Sequence, residues 1–586
     1  MKMKKFLFFS MVVLLCGCKQ GKLERIDIQL DKETLNLVLE PDVMASMKVI
    51  AYYSNGSRKE LKASEYVAST KTVNASGGVQ VIAVDGDKII PKDGGVGEVS
   101  AVYVNEGKTL TATKKIVVRP YYRDYHKTLV LKLFMAMEGE PPASIKSDPN
   151  ELVFNQKDPS RICTFAEALD LVKRVDNVTR GVDKIIYLVG WQRGGHDHLY
   201  PDWSIVNEKL KRPEDATALE SLRWLIREAR AYNTTVSLHI NMNDAYKDNA
   251  LWQEYKDKDC LCRNADGSLQ TYDFIEGHTI YHVNLYNEWK EGLAKRRIDR
   301  LIAMIPELKE GHTIHIDAFM SRYYDWNYRS PWHAMKENGG IDMYKETEAQ
   351  RKIFHYWRDN GFDVTGEGIF WAHPPGEGFV GLQPYSWWMF TDIKFQMEIP
   401  ERLSARGATE RGVGGQELRQ GDFRFGSSIH GEYIFLRDKE NLPGFLREFC
   451  TMTLPWYYLS QLQRVALIAD TLYYSNGVIA RVENGKKIIR KGDFILREDD
   501  NLFVPALWKA KEIIAYSQAG YTDRAWVLPV EWKDVNTVDL YKITLKGLEP
   551  MQKAIQVKNG KLTLTLQKEE GVSIVPAGST LKETVN

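Results

Sequence analysis

The stretch IFHYWRDNGFDVTGEG, residues 353–368, decides the architecture. Ile353 and Trp357 sit at helical spacing, and Asn360-Gly361 supplies a natural helix C-cap. Phe362–Glu367 then reads as a strand, with no loop between the two elements. The same grammar recurs upstream. Leu293, Ile298, Leu301, Ile302 and Ile305 mark a helix that precedes the strand pattern Thr313–Phe319. Leu219, Leu222, Ile226 and Ala229 share one helical face within 216–230, ahead of the strand pattern Thr235–Ile240. Two earlier apolar runs, Leu129–Met137 and Lys184–Gly190, complete the series. Strands that read as apolar on both faces and alternate with helices predict a parallel sheet. Its expected closure is a (β/α)8 barrel over residues 121–515. A doubly wound sheet is the alternative, but no Gly-rich phosphate turn follows the first strand.

The flanks read differently. Residues 22–120 carry short alternating patterns (Ile26, Ile28 and Leu30; Val49 and Ala51; Val99, Ala101 and Tyr103) and no convincing helix. Tyr53-Ser54-Asn55-Gly56-Ser57 and the 97–101 stretch resemble bacterial immunoglobulin-like domains, so a β-sandwich is expected. Asp85-Gly86-Asp87 and Asp93-Gly94 lack calcium-loop spacing and read as turns. Residues 520–586 return to β character, with Asn559-Gly560 as a hairpin turn, and predict a C-terminal β-sandwich. The chain thus reads as a multidomain protein, a barrel flanked by two β-domains.

At the very start, Lys2, Lys4 and Lys5 precede a short apolar run and Leu15-Cys16-Gly17-Cys18. This resembles a bacterial lipobox within residues 1–18 and implies acylation of Cys18. The expected location is the bacterial cell envelope, lipid-anchored and facing the periplasm or the exterior, with the membrane engaged only through the lipid. The other cysteines are too sparse for a disulfide framework, and Cys260-Leu261-Cys262 lacks the second pair a zinc site needs.

Composition narrows the function. The 586 residues are 44% hydrophobic and 27% charged, which is ordinary for globular domains and excludes disorder. With 79 basic and 78 acidic residues there is no electrostatic footprint for nucleic acid. The 15 Trp and 29 Tyr leave room for rings that stack on sugar faces.

In a barrel, strand C-termini carry the chemistry. The second strand ends in Gly190-Trp191-Gln192-Arg193-Gly194-Gly195-His196-Asp197, the third in His239-Ile240-Asn241, the fourth in His315-Ile316-Asp317, the fifth in Gly366-Glu367-Gly368. Asp317 and Glu367 end adjacent strands. Retaining cleavage of a glycoside uses two carboxyls about 5–5.5 Å apart, one as nucleophile and one as acid/base. Asp317, among Ile316 and Phe319, suits the nucleophile. Glu367, with Phe370 and Trp371 near, suits the acid/base, since an apolar wall raises a carboxyl pKa. Glu432 is the reserve acid/base.

Those segments, with Pro201-Asp202 and the 454–461 stretch LPWYYLSQ, resemble the endo-α-N-acetylgalactosaminidase family of retaining glycoside hydrolases, in islands over 180–465. The resemblance implies sugar contacts from His196, Asp197 and Asn241, Asp317 as nucleophile and Glu367 as acid/base; Trp191 and Trp371 are further expected substrate-binding residues. It implies α-linked N-acetylgalactosamine or galactose of glycoprotein or other glycans as substrate, and no cofactor or metal. Two other readings stay open. His196, His198, His239, His315 and Asp317 could ligate a metal in a barrel hydrolase. A barrel without turnover could bind glycan at the cell surface.

Overall fold

The computed structural model describes residues 21–74, 80–136, 162–275, 278–317, 319, 330–370, 385–390, 403–404, 424–426 and 442–581, and every structural statement below concerns these. Cys18, Trp371 and Glu432 lie outside them, and Glu367 is described by its backbone alone.

The helix that opened the sequence reading spans Met343–Asp359. Asp342 caps it by accepting from the backbone of Tyr344 and Lys345. Gly361 stops it with φ at +96°, and Phe362 N–H folds back to the Trp357 carbonyl. The strand Asp363–Phe370 follows. Two earlier helices, Phe165–Val178 and Ala218–Glu228, start on reciprocal capping boxes, Thr164 with Glu167 and Thr217 with Glu220.

Seven strands form one parallel sheet in chain order: Leu129–Phe134, Lys184–Val189, Thr234–Asn241, Thr313–Asp317, Asp363–Phe370, Tyr385–Phe390 and Leu403–Ser404. The order never reverses, so these strands do not have the doubly wound arrangement, which needs a switch point.

Both faces of the first four strands are buried, as expected, but the third to fifth strands are not apolar on both. Val236, Leu238 and Ile240 alternate with buried Ser237, His239 and Asn241. Ile314 and Ile316 alternate with Thr313 and His315. Val364 lies between buried Asp363 and Thr365. The apolar row joins the core with Leu222, Ile298, Leu301 and Ile353 from the helices. Polar groups on the other row are tolerated because they bond to one another across strands. Ser237 Oγ donates to the Thr313 carbonyl at 2.6 Å, Tyr187 OH meets Thr313 Oγ1 at 2.5 Å, and His315 Nδ1 meets Thr365 Oγ1 at 2.9 Å. At the start of the fifth strand, burial pushes the Asp363 carboxyl up to about 7, while it accepts backbone N–H groups from Tyr122 and Arg123. That contact fastens the segment leading into the first strand.

An insertion departs from the simple strand-helix alternation. Between the third strand and the helix Leu293–Met304 lies a three-stranded antiparallel sheet of Asp244–Ala245, Thr271–Ile275 and His278–His282.

Residues 21–73 and 80–119 form a separate compact unit of two sheets. Ile26, Ile28, Val49, Ala51, Val99 and Ala101 are buried there, and Gly86-Asp87 is a hairpin turn.

The C-terminal β region begins at Arg464, not near 520. Ten antiparallel-paired strands between Arg464 and Pro576 make one sheet, and Tyr521–Val527 pairs with Lys561–Leu566 in a second. The expected boundary at 515–520 therefore cuts through this region. Apolar runs such as Ile513–Ser517, buried at every position, look like inner strands of a parallel sheet when read alone. Trp526 stacks on Phe503 with centroids 5.0 Å apart and joins the two sheets. The cysteines at 163, 260, 262 and 450 are buried and form no disulfide.

Candidate active site

Asp317 is the last residue of the fourth strand, and its side chain is 15% exposed. His239 and Asn241 come from the third strand, in register with His315 and Asp317. His239 Nε2 lies 3.4 Å from Asp317 Oδ2, and His196 Nε2 lies 3.9 Å from the same oxygen. His196 arrives on the loop after the second strand, whose backbone is tightly folded. Gly190 has φ at +74°, and a Cβ there would fall 1.8 Å from the Ala136 carbonyl oxygen, so only glycine fits. That carbonyl accepts the His196 backbone N–H at 3.0 Å, which ties the ends of the first two strands together. The His196 ring then packs edge-on against Phe134 at 5.1 Å. Asp197 takes φ +49° and sets its Oδ2 3.3 Å from His196 Nδ1.

The structure thus brings together Asp317, His196 and Asp197. It gives two other expected sugar contacts different work. Trp191 is fully buried and donates its indole N–H to the His239 carbonyl at 3.0 Å, so it holds the strand end and offers no ring to a sugar. Asn241 is also fully buried. Its Oδ1 accepts the N–H groups of Asn243 and Asp244, and its Nδ2 donates to Asp244 Oδ2 at 2.7 Å. Such a turn anchor shapes the loop above Asp317.

Histidines separate in the same way. His198 Nε2 meets Asp248 Oδ2 at 2.7 Å, and His315 binds Thr365, so neither joins the group at Asp317. His196, His239 and Asp317 keep one donor atom each within 4.8 Å of one another. Three N/O donors are the smallest set that holds a catalytic zinc ion, so the group has the chemistry for one. Its other use needs no ion: two imidazole donors on a carboxylate that faces solvent. From sequence His239 reads only as a possible metal ligand. The signal that places it at the carboxylate is the period-two polar row Ser237, His239, Asn241 beside Thr313, His315, Asp317.

Glu367 stands in the fifth strand two residues beyond Thr365. Ile316 pairs with Gly366, so Asp317 and Glu367 are the next positions on neighbouring strands.

The sequence profile described as Endo-alpha-N-acetylgalactosaminidase matches residues 151–366, a span that contains His196, Asp197, His239 and Asp317. Over that span the chain resembles this glycoside hydrolase family, and it is a glycosidase. Among curated proteins none matches it. Solved structures similar to the chain include the alpha-N-acetylgalactosaminidase NagBb from Bifidobacterium bifidum, at 10% identity and a TM-score of 0.40, covering 77% of this chain and 88% of that one. The alpha-galactosidase AgaA from Geobacillus stearothermophilus is similar at 10% identity and TM-score 0.36, over 91% and 79% of the two chains.

Proposed function

We infer that this glycosidase is a retaining α-glycoside hydrolase acting on α-linked N-acetylgalactosamine or galactose of glycoprotein or other glycans. Asp317 is the nucleophile and Glu367 the acid/base. The observation that carries the reading is the pairing of these two positions. Asp317 ends the fourth strand with two histidines on one of its oxygens, and position 367 is its neighbour on the fifth. Strand alternation gives positions 363, 365 and 367 one face, the face on which Thr365 meets His315.

In the first step Asp317 bonds the anomeric carbon as the bond to the aglycone oxygen breaks, and Glu367 gives that oxygen its proton. In the second, Glu367 takes a proton from water, whose oxygen bonds the anomeric carbon and releases the Asp317 carboxylate. His196 and Asp197 contact sugar hydroxyls. The scaffold under this reading is a (β/α)8 barrel. The helix Leu454–Ser460 supports closure, because Ser460 and Gln461 hydrogen-bond His126, just ahead of the first strand.

A panel of aryl α- and β-glycosides of N-acetylgalactosamine, galactose and glucose tests the reading. Turnover is expected with the α-linked N-acetylgalactosamine or galactose members. Turnover confined to β-glycosides, or to none, would contradict it.

A further inference from the structure

We propose that His239 is the positioning residue of the nucleophile: it holds Oδ2 of Asp317, so that Oδ1 is the oxygen that attacks the anomeric carbon. The inference rests on Asp317 being the nucleophile.

Both histidine contacts of Asp317 fall on Oδ2, at 3.4 Å from His239 and 3.9 Å from His196. The two imidazoles are not equivalent. His196 sits on a loop and its side chain is 12% exposed, whereas His239 sits within a strand at 1%. His239 is also clamped. Its carbonyl accepts the Trp191 indole, and its ring lies between His196 at 5.3 Å and His315 at 5.1 Å. His315 is itself fixed by Thr365 at 2.9 Å and packs on Tyr187 at 5.2 Å. A row of hydrogen-bonded side chains from the second, fourth and fifth strands therefore backs His239. Nε2 of His239, which faces Asp317 Oδ2, serves as the donor.

The donor fixes the carboxylate plane. When Oδ1 forms its bond to the anomeric carbon, the residual density on Oδ2 still meets an N–H. When that bond breaks in the second step, the charge returns to an oxygen already held. Orientation of this kind is lost easily: a displacement of about 1 Å costs on the order of 100-fold in rate. Substrate binding, which uses other groups, should change little.

His239→Phe keeps a ring between His196 and His315 but removes the N–H, and His239→Gln restores a donor near the Nε2 position. Both are measured on the aryl α-glycoside that wild type hydrolyses best, with melting temperature alongside. His239→Phe is expected to lower kcat about 100-fold with KM within about threefold. His239→Gln is expected to recover at least about tenfold over His239→Phe at similar melting temperature, which a merely structural role would not produce. His239→Phe within about threefold of wild-type kcat would overturn the inference, as would a Gln variant no better than Phe. One zinc ion per chain, with activity lost on chelation, would also overturn it by making His239 a ligand. Wild type inactive on every α-glycoside defeats the underlying reading. An active wild type with a dead Asp317→Ala and a near-normal His239→Phe defeats this inference alone.

Discussion

The Asp317→Ala variant is expected to lose turnover on every substrate, by on the order of 10⁴-fold, as when a group essential to covalent catalysis is removed. Without a carboxylate at position 317 no glycosyl-enzyme can form. The variant also opens space on the face from which attack occurs, and azide should enter it. Azide displaces the leaving group once, so an α-glycoside yields the β-glycosyl azide. Glu367→Ala should behave differently. A dinitrophenyl leaving group needs no protonation, so its first step survives and breakdown of the intermediate becomes limiting. Azide then attacks the intermediate and gives the α-azide. Opposite anomers from the two variants assign the two roles. Swapped stereochemistry, or near wild-type activity in either variant, would move attention to Glu432 or to the histidines. The product anomers are read by proton NMR.

The second large effect concerns stability. Glu288 is fully buried and pairs with Arg297 at 2.8 Å, while Tyr255 OH donates to Glu288 at 2.6 Å. Arg297 also donates to the carbonyls of Asn241, which ends the third strand, and of Met242 just past it, and lies over the Trp203 ring at 4.5 Å. The pair therefore braces the end of the strand that carries His239. Arg297→Met leaves a buried carboxylate alone, which costs about 3–5 kcal/mol. The loss should depend on pH. Burial already pushes the Glu288 carboxyl up, and Arg297 opposes that rise. In the variant the folded carboxyl is raised further above its value of 4.5 in the unfolded chain. Folding then favours the protonated form: the protein is least impaired below the unfolded value and loses stability as pH rises through the folded one. Thermal melts of Arg297→Met should therefore lie closer to wild type at acid pH than at alkaline pH. Arg297→Met with Glu288→Met should recover most of the loss, since an apolar pair can replace a buried ion pair. A deficit equal at all pH values would show that the pairing is not its cause.

What could be read from sequence was what local rules encode. The helix 343–359, its Asn360-Gly361 stop and the strand after it follow from spacing and a left-handed glycine. The strand ending in Asp317 follows from Ile314 and Ile316 flanking a histidine. What could not be read depends on contacts between distant residues. Nothing near Trp191 tells a buried indole that braces His239 from an exposed sugar platform, because both uses want a large ring beside glycines. Asn241 likewise could face a ligand or its own loop, and the choice is made by Asp244. Beyond Arg464, a strand such as Ile513–Ser517 is buried at every position and so mimics one of a parallel sheet. The polar row of Ser237, His239, Thr313, His315 and Thr365 is visible as alternation, but its meaning needs the register that sets them side by side.

The central claim is a covalent sugar on Asp317. The most direct measurement is to trap it with a fluorinated α-galactosyl or α-N-acetylgalactosaminyl donor that carries a good leaving group, and to map the adduct by mass spectrometry of tryptic peptides. One added glycosyl unit is expected on the peptide 310–322, with fragment ions placing it on Asp317 and no label in Asp317→Ala. An adduct on any other residue, or turnover without any adduct and with inversion at the anomeric centre, would contradict it.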